Sequence, residues 1–91
     1  MLTIRRLIWD PWNVSHIARH HVTPEEVEQV CHGQPITSQT YKGRLRVVGP
    51  TRARRMLTVI LAPTDQQGVY YPVTARPADR KERRHYEQQR G

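Results

Sequence analysis

The spacing of apolar residues changes along the chain, and each change predicts a new element. Leu2 to Trp9, rich in Leu, Ile and Trp, reads as a strand. Asp10-Pro11 then opens a helix, with Asp as N-cap and Pro at the first helical position, where its missing N–H is no loss. Val14, Ile17 and Ala18 supply a short apolar stripe at i, i+3 and i+4. Thr23-Pro24-Glu25-Glu26 starts a second helix as a capping box, with Val22 placed to pack on Val27 across the cap. Val27, Val30 and Cys31 form its buried stripe, and Gly33 supplies the stop.

From Gln34 onward the period is two. Ile36 to Tyr41 predicts a strand and Lys42-Gly43 a turn. Arg44 to Gly49 alternates, with Leu45 and Val47 on one face and Arg44, Arg46 and Val48 on the other. Pro50 to Ala53 is a second hairpin turn, and Met56 to Ala62, apolar on both faces, reads as a central strand. After a polar turn at Thr64 to Gly68, Val69, Tyr71, Val73 and Ala75 are expected on one side. Tyr70, Thr74 and Arg76 then fall on the other. Pro72 argues for an edge strand, or for a position that donates nothing to the ladder. Asp79 as N-cap and Glu82 at N3 open a last helix running to about Gln89, with little apolar surface beyond Tyr86. The predicted fold is α+β: an antiparallel β-sheet with two N-terminal helices packed on one face and a C-terminal helix.

At 91 residues the chain has room for one core, so residues 1–91 are read as a single domain. A lone cysteine excludes an internal disulfide and fits a reducing compartment; in its helix it resembles a small apolar residue. The N-terminal charges are not followed by an apolar signal region. The longest apolar stretch is far short of the ~18 residues a membrane span needs. A soluble, cytoplasmic protein without membrane contact is expected. Glycine-rich nucleotide loops are absent, which argues against an NTPase or dinucleotide enzyme, and no cofactor is expected.

Charge narrows the field further. Fifteen Lys and Arg oppose eight Asp and Glu, for a net charge of +7. Lys42, Arg44, Arg46, Arg52, Arg54 and Arg55 fall in one acid-free run, and Arg76, Arg80, Lys81, Arg83, Arg84 and Arg90 crowd the C-terminal end. Glu25, Glu26 and Glu28 sit together elsewhere. This asymmetry predicts a polyanion-binding face opposite a more acidic one. Arg44, Arg46, Arg52, Arg54, Arg55, Arg80 and Arg84 are its candidate RNA contacts, arginine being suited to bidentate phosphate recognition.

A strand-end Arg76 beside Arg83 and Tyr86, three apart on the next helix, would make a pocket for one phosphate with a hydroxyl in reach. That inventory suits metal-free RNA cleavage. The ribose 2′-OH attacks phosphorus, guanidinium groups stabilise the added charge, and a His, Tyr or Glu moves the protons. The competing reading is an exposed terminal helix in which Glu82–Tyr86 and Arg83–Glu87 are mere i,i+4 pairs. His16 and His20, four apart, could face one ion with His21, Cys31 or His32. Without a CxxC pair or an HExxH, no metal is expected. His20 is read instead as a helix-end residue or proton carrier, with His85 on the Arg-rich helix as the alternative. Trp9 is expected in the core and Trp12 is free to meet a partner. Tyr41 and Tyr70 could stack on bases if they lie on the basic face.

Trp9-Asp10, His20 leading into Val22-Thr23-Pro24-Glu25-Glu26-Val27, Gly49, and Thr74-Ala75-Arg76 with Glu82-Arg83 and Tyr86 resemble the BrnT toxin family in order and spacing. The match spans nearly the whole chain, and the Ala-Arg…Glu-Arg…Tyr run is its most specific part. The resemblance implies a RelE-like fold and a ribonuclease that acts as the toxin of a type II toxin–antitoxin system, inhibiting translation and growth. It also implies a DNA-binding, ribbon-helix-helix antitoxin of the BrnA kind as partner. Arg76, Glu82, Arg83 and Tyr86 become site residues by the same resemblance, with His20 beside them. Two positions depart from the pattern: His21 stands where the family usually has Gly, and Pro77 where a basic residue is common. The alternative of another class is a non-catalytic basic RNA- or partner-binding domain of the same fold. Direct DNA binding is not expected, since the early helices carry the acids and lack helix-turn-helix spacing.

Overall fold

The computed structural model describes residues 3–90, so Leu2, placed in the first predicted strand, lies outside the described residues. In chain order the elements are β1 (Arg6–Leu7), α1 (Pro11–Ala18), α2 (Pro24–Cys31), β2 (Ile36–Gln39), β3 (Leu45–Pro50), β4 (Met56–Pro63), β5 (Val69–Pro77) and α3 (Arg80–Arg90). They form an α+β domain around one five-stranded sheet, ordered β1-β5-β4-β3-β2.

The sheet is mixed rather than wholly antiparallel. β2, β3, β4 and β5 pair antiparallel, but β1 lies parallel to β5, with Arg6 opposite Val69 and Leu7 opposite Tyr70. β2 runs opposite to β1, and three successive hairpins turn β5 opposite to β2. β5 therefore meets β1 in parallel. β1 is also shorter than its apolar run predicts. After Ile8 donates to the Tyr70 carbonyl at 2.9 Å, the chain leaves the sheet so that Asp10 can cap α1.

Both N-terminal helices start as their capping signals predict. Asp10 accepts from the Asn13 amide while the Asn13 side chain accepts from the Asp10 amide, and Thr23 with Glu26 repeats the reciprocal pair. Val22, Val27, Val30 and Cys31 are buried, and they meet Leu45, Val47, Leu57, Val59, Leu61 and Ala75 on one sheet face. β4, central as expected, contributes three of those side chains. Gly49 lets β3 pass close to Pro35, where a Cβ would come within 3.1 Å.

Two expectations about faces are corrected. On α1, Val14 and Ala18 are exposed, and Asn13 joins Ile17 in the interior at 0% exposure. A polar residue survives there because its hydrogen bonds are made internally. Its Nδ2 donates to the carbonyls of Ile8 (2.9 Å) and Pro72 (3.2 Å), and its Oδ1 accepts from the Asp10 amide (2.9 Å). On β5, a register shift opposite Ile60/Leu61 inserts one residue and reverses the parity below it. Tyr70, Pro72 and Ala75 are consequently buried, while Tyr71 and Val73 are only half-buried. Nor is β5 an edge strand. Pro72 is tolerated because β1 has ended and its carbonyl is taken by Asn13.

His21, which stands where the BrnT resemblance leads one to expect glycine, has φ of +59°. The left-handed conformation follows from the sharp link between α1 and α2, and it costs a non-glycine residue about 1 kcal/mol.

Candidate nucleic-acid interface

Period two on β3 and β4 decides what the second sheet face carries. With Leu45, Val47, Leu57 and Val59 turned to the helices, Arg46, Val48, Thr58 and Ile60 point the other way. Register sets Arg76 opposite Thr58. α3 crosses one end of this face and leaves a groove of about 630 Å³. From the sheet the groove is lined by Ile36, Thr37, Ser38, Arg46, Val48 and Arg76, and from α3 by Lys81, Glu82, Arg84, His85 and Gln88, with Asp79 at its cap. α1 and α2, with Glu25, Glu26 and Glu28, cover the opposite face. The three glutamates thus lie across the sheet from the groove, although Arg52 and Arg55 lie on their side.

Arg76 and Glu82 join the floor of the groove to its wall. The guanidinium makes a two-pronged contact, Nη1 to Oε1 at 2.8 Å and Nη2 to Oε2 at 2.9 Å, and Nη1 also reaches the Pro77 carbonyl at 3.3 Å. Arginine has five N–H donors, so two remain for a ligand. Glu82 Oε1 also accepts from the Asp79 amide, and Asp79 accepts from the Glu82 amide, closing the capping box of α3. Burial pushes the Glu82 carboxyl's pKa up. Hydrogen bonds from Arg76 and the Asp79 amide, with the charge of Arg76, outweigh it and hold the group at about 2. Thr58, opposite Arg76 in the register, is fully buried and its Oγ1 has no hydrogen-bond partner among the described residues. The pairing with Glu82 in turn raises the pKa of Arg76.

Arg83 and Tyr86 fall on the other flank of α3. With Arg54, Met56, Glu87, Pro50 and Thr51 they line a separate recess of about 360 Å³. The Tyr86 hydroxyl donates to the Gln34 carbonyl at 3.0 Å, and Arg90 bonds the Gln34 side chain. No α3 side chain is fully buried, so polar ties through Glu82, Tyr86 and Arg90 do much of the docking. Arg76 and Glu82 are therefore brought together, while Arg83 and Tyr86 form a second pair away from them.

His20 lies on the helical side of the sheet. Its ring stands edge-on to His16 at 6.5 Å, and its carbonyl accepts from Arg55. Arg55 is occupied in the fold: its Nη1 meets the His21 carbonyl at 2.7 Å and both Glu26 oxygens at 3.1 Å. Burial raises the Glu26 pKa, but the Thr23 amide and Arg55 lower it further. Arg52 lies on the α2 side beside Glu25 and Glu28, and Arg54 lines the Tyr86 recess. Arg80 and Arg84 flank Arg83 on the outward side of α3, with Arg84 reaching the groove as well. Arg44 precedes β3 in extended conformation, in phase with Arg46.

Lys81, part of the basic C-terminal cluster, enters the groove, and so does Ser38, which the sequence did not mark. Only the β2–β3 register, Ser38 opposite Arg46, reveals Ser38. Among the described residues no three His, Cys, Asp or Glu side chains lie together as metal ligands. Cys31 is buried, and desolvation with the charge of Glu28 pushes its thiol up to about 12. Fold and site define an α+β domain with an arginine-rich groove between a terminal helix and an open sheet face. No known protein-family model matches the chain, and no curated protein matches it. Among the described residues no helix is long and apolar enough to cross a membrane.

Proposed function

We propose that the chain is a metal-independent endoribonuclease, the toxin of a BrnT-like type II toxin–antitoxin pair with a BrnA-like ribbon-helix-helix antitoxin, and that RNA occupies the α3 groove. One observation carries this reading. Arg46, Arg76, Lys81, Arg84 and His85 surround one groove whose two carboxylates are already engaged, Glu82 by Arg76 and Asp79 by the Glu82 amide. Such a site attracts a phosphodiester and leaves donors free to meet it.

In this reading the 2′-hydroxyl attacks the adjacent phosphorus, the bond to the 5′-oxygen breaks, and a cyclic phosphate and a 5′-hydroxyl result. The free N–H groups of Arg76, with Arg46 and Arg84, stabilise the charge that builds on the non-bridging oxygens. His85 supplies the imidazole in the groove, and the proton transfer is assigned to it. Glu82 orients Arg76, and Tyr86 and Arg83 act through the docking and charge of α3. His20, across the sheet, has no part in the proton transfer.

The second reading is a non-catalytic basic RNA- or partner-binding domain. It is favoured by the fact that Arg76, Glu82 and Tyr86 each have a structural task in holding α3. The two separate on purified protein incubated with single-stranded RNA in EDTA. Catalysis predicts cleavage leaving 5′-hydroxyl ends, lost in His85→Ala with RNA affinity retained. Tight binding without cleavage by the wild type favours the second reading. Growth arrest on induction, relieved by His85→Ala and by co-expression of a neighbouring ribbon-helix-helix protein, tests the toxin assignment.

A further inference from the structure

We infer that Tyr41 is a nucleobase-stacking platform at the far end of a strand-borne arginine track, so that the groove takes RNA as a single strand. This rests on the RNA-binding reading above. Arg46 lines the α3 groove, and Arg44, two residues earlier in extended backbone, continues the same face toward the β2–β3 turn. Residues two apart on a strand repeat roughly every 7 Å. The two guanidinium groups are thus spaced to meet successive phosphates of an extended chain, and the track ends at the turn holding Tyr41.

Tyr41 is 71% exposed and contributes nothing to the core. The Lys42 ammonium lies 5.8 Å from its ring centroid, which places a cation at one side of the ring and leaves ring surface for a base. Lys42 and Gly43 both have positive φ, +64° and +72°. A non-glycine residue held in that conformation is strained, and the strain here sits beside the exposed ring. The other candidate for base stacking, Tyr70, is buried in the core. Trp12, though 58% exposed, is stacked on His16 at 4.8 Å on a helix that covers the opposite sheet face. A base already stacked within a duplex has no face to offer Tyr41, whereas an unpaired one has.

The test is equilibrium binding of a 2′-O-methylated dodecanucleotide, which cannot be cleaved, and of the same sequence as a duplex. Wild type, Tyr41→Ala, Tyr41→Phe and Arg44→Ala are compared, with circular dichroism melts confirming the fold of each. The wild type is expected to prefer the single strand. Tyr41→Ala should weaken that complex about tenfold and leave the duplex unmoved. Tyr41→Phe, which keeps the ring, should bind within about twofold of wild type. Arg44→Ala should flatten the salt dependence of single-strand binding. Equal single-strand affinity for wild type and Tyr41→Ala, or a preference for duplex, overturns the track while leaving the groove intact. Failure of the wild type to bind either form overturns the RNA-binding reading itself.

Discussion

Replacing Glu82 by Gln keeps the shape and the Oε1 acceptor for the Asp79 amide, removes the charge facing Arg76, and puts an amide donor where Oε2 accepted from Arg76 Nη2. At about 1.36 kcal/mol per pH unit, the fall of its pKa from 4.5 to about 2 bounds the stabilisation at roughly 3.4 kcal/mol. The Glu82 side chain is 11% exposed but that of Arg76 is 38% exposed, so water screens the pair and the expected loss is about 1–2 kcal/mol. Because the folded carboxyl titrates below its unfolded value, the contribution is complete above pH 4.5 and disappears as the pH falls toward 2. Urea unfolding at pH 7 and at about pH 2.5 reads this directly. The gap between wild type and Glu82→Gln should shrink to about a quarter at the lower pH. Amide exchange locates the effect: with no fully buried side chain, α3 should open first, exchanging roughly 5–30-fold faster in the variant at pH 7. A gap that persists unchanged at low pH, or α3 exchange identical in the two proteins at pH 7, would refute the view that this ion pair docks the helix.

Asn13→Ala leaves the buried Pro72 carbonyl, the part-buried Ile8 carbonyl and the Asp10 amide without their partner and should cost about 2–4 kcal/mol in urea unfolding; a loss below about 0.5 kcal/mol would contradict this role. Arg55→Ala should lower stability by about 1–2 kcal/mol and leave RNA affinity unchanged, as measured by melts beside binding curves. Arg46→Ala should do the reverse, sparing stability while reducing the slope of log affinity against log salt by about 1. His21→Gly should raise stability by about 0.5–1 kcal/mol, since glycine adopts its φ of +59° without steric cost, and chemical denaturation checks this.

Local signals read well from the sequence because their causes are local. The caps at Asp10, Thr23 and Asp79 use side chains that reach only three residues along the chain, and all three form, Asp10 closing a box with Asn13 besides. The alternation on β3 and the apolar run of β4 reflect a two-residue repeat and burial on both faces, and both survive folding. The charge separation was legible in part: period two puts Arg46 on the face away from Leu45 and Val47, but residue order did not reveal that Arg52 and Arg55 would lie beside the glutamates.

What tertiary structure decided is every relation across distance. A single inserted residue at the β5 bulge exchanged the faces of Tyr70 and Tyr71, and no pattern in a strand announces where its partner will slip. Asn13 could enter the interior only because Ile8 and Pro72, five and fifty-nine residues away, offered carbonyls to it. Helical spacing correctly made Arg83 and Tyr86 neighbours, but the rotation of α3 on the sheet gave Glu82 and His85 to the groove and turned the other pair away. That rotation is set by Arg76 and by the Gln34 carbonyl, contacts with no signature in residue order. Composition and periodicity determine which chemistry the chain carries and the segments that bear it. Register and docking angle determine which of those side chains can meet one ligand, because they arise from the packing of the whole sheet.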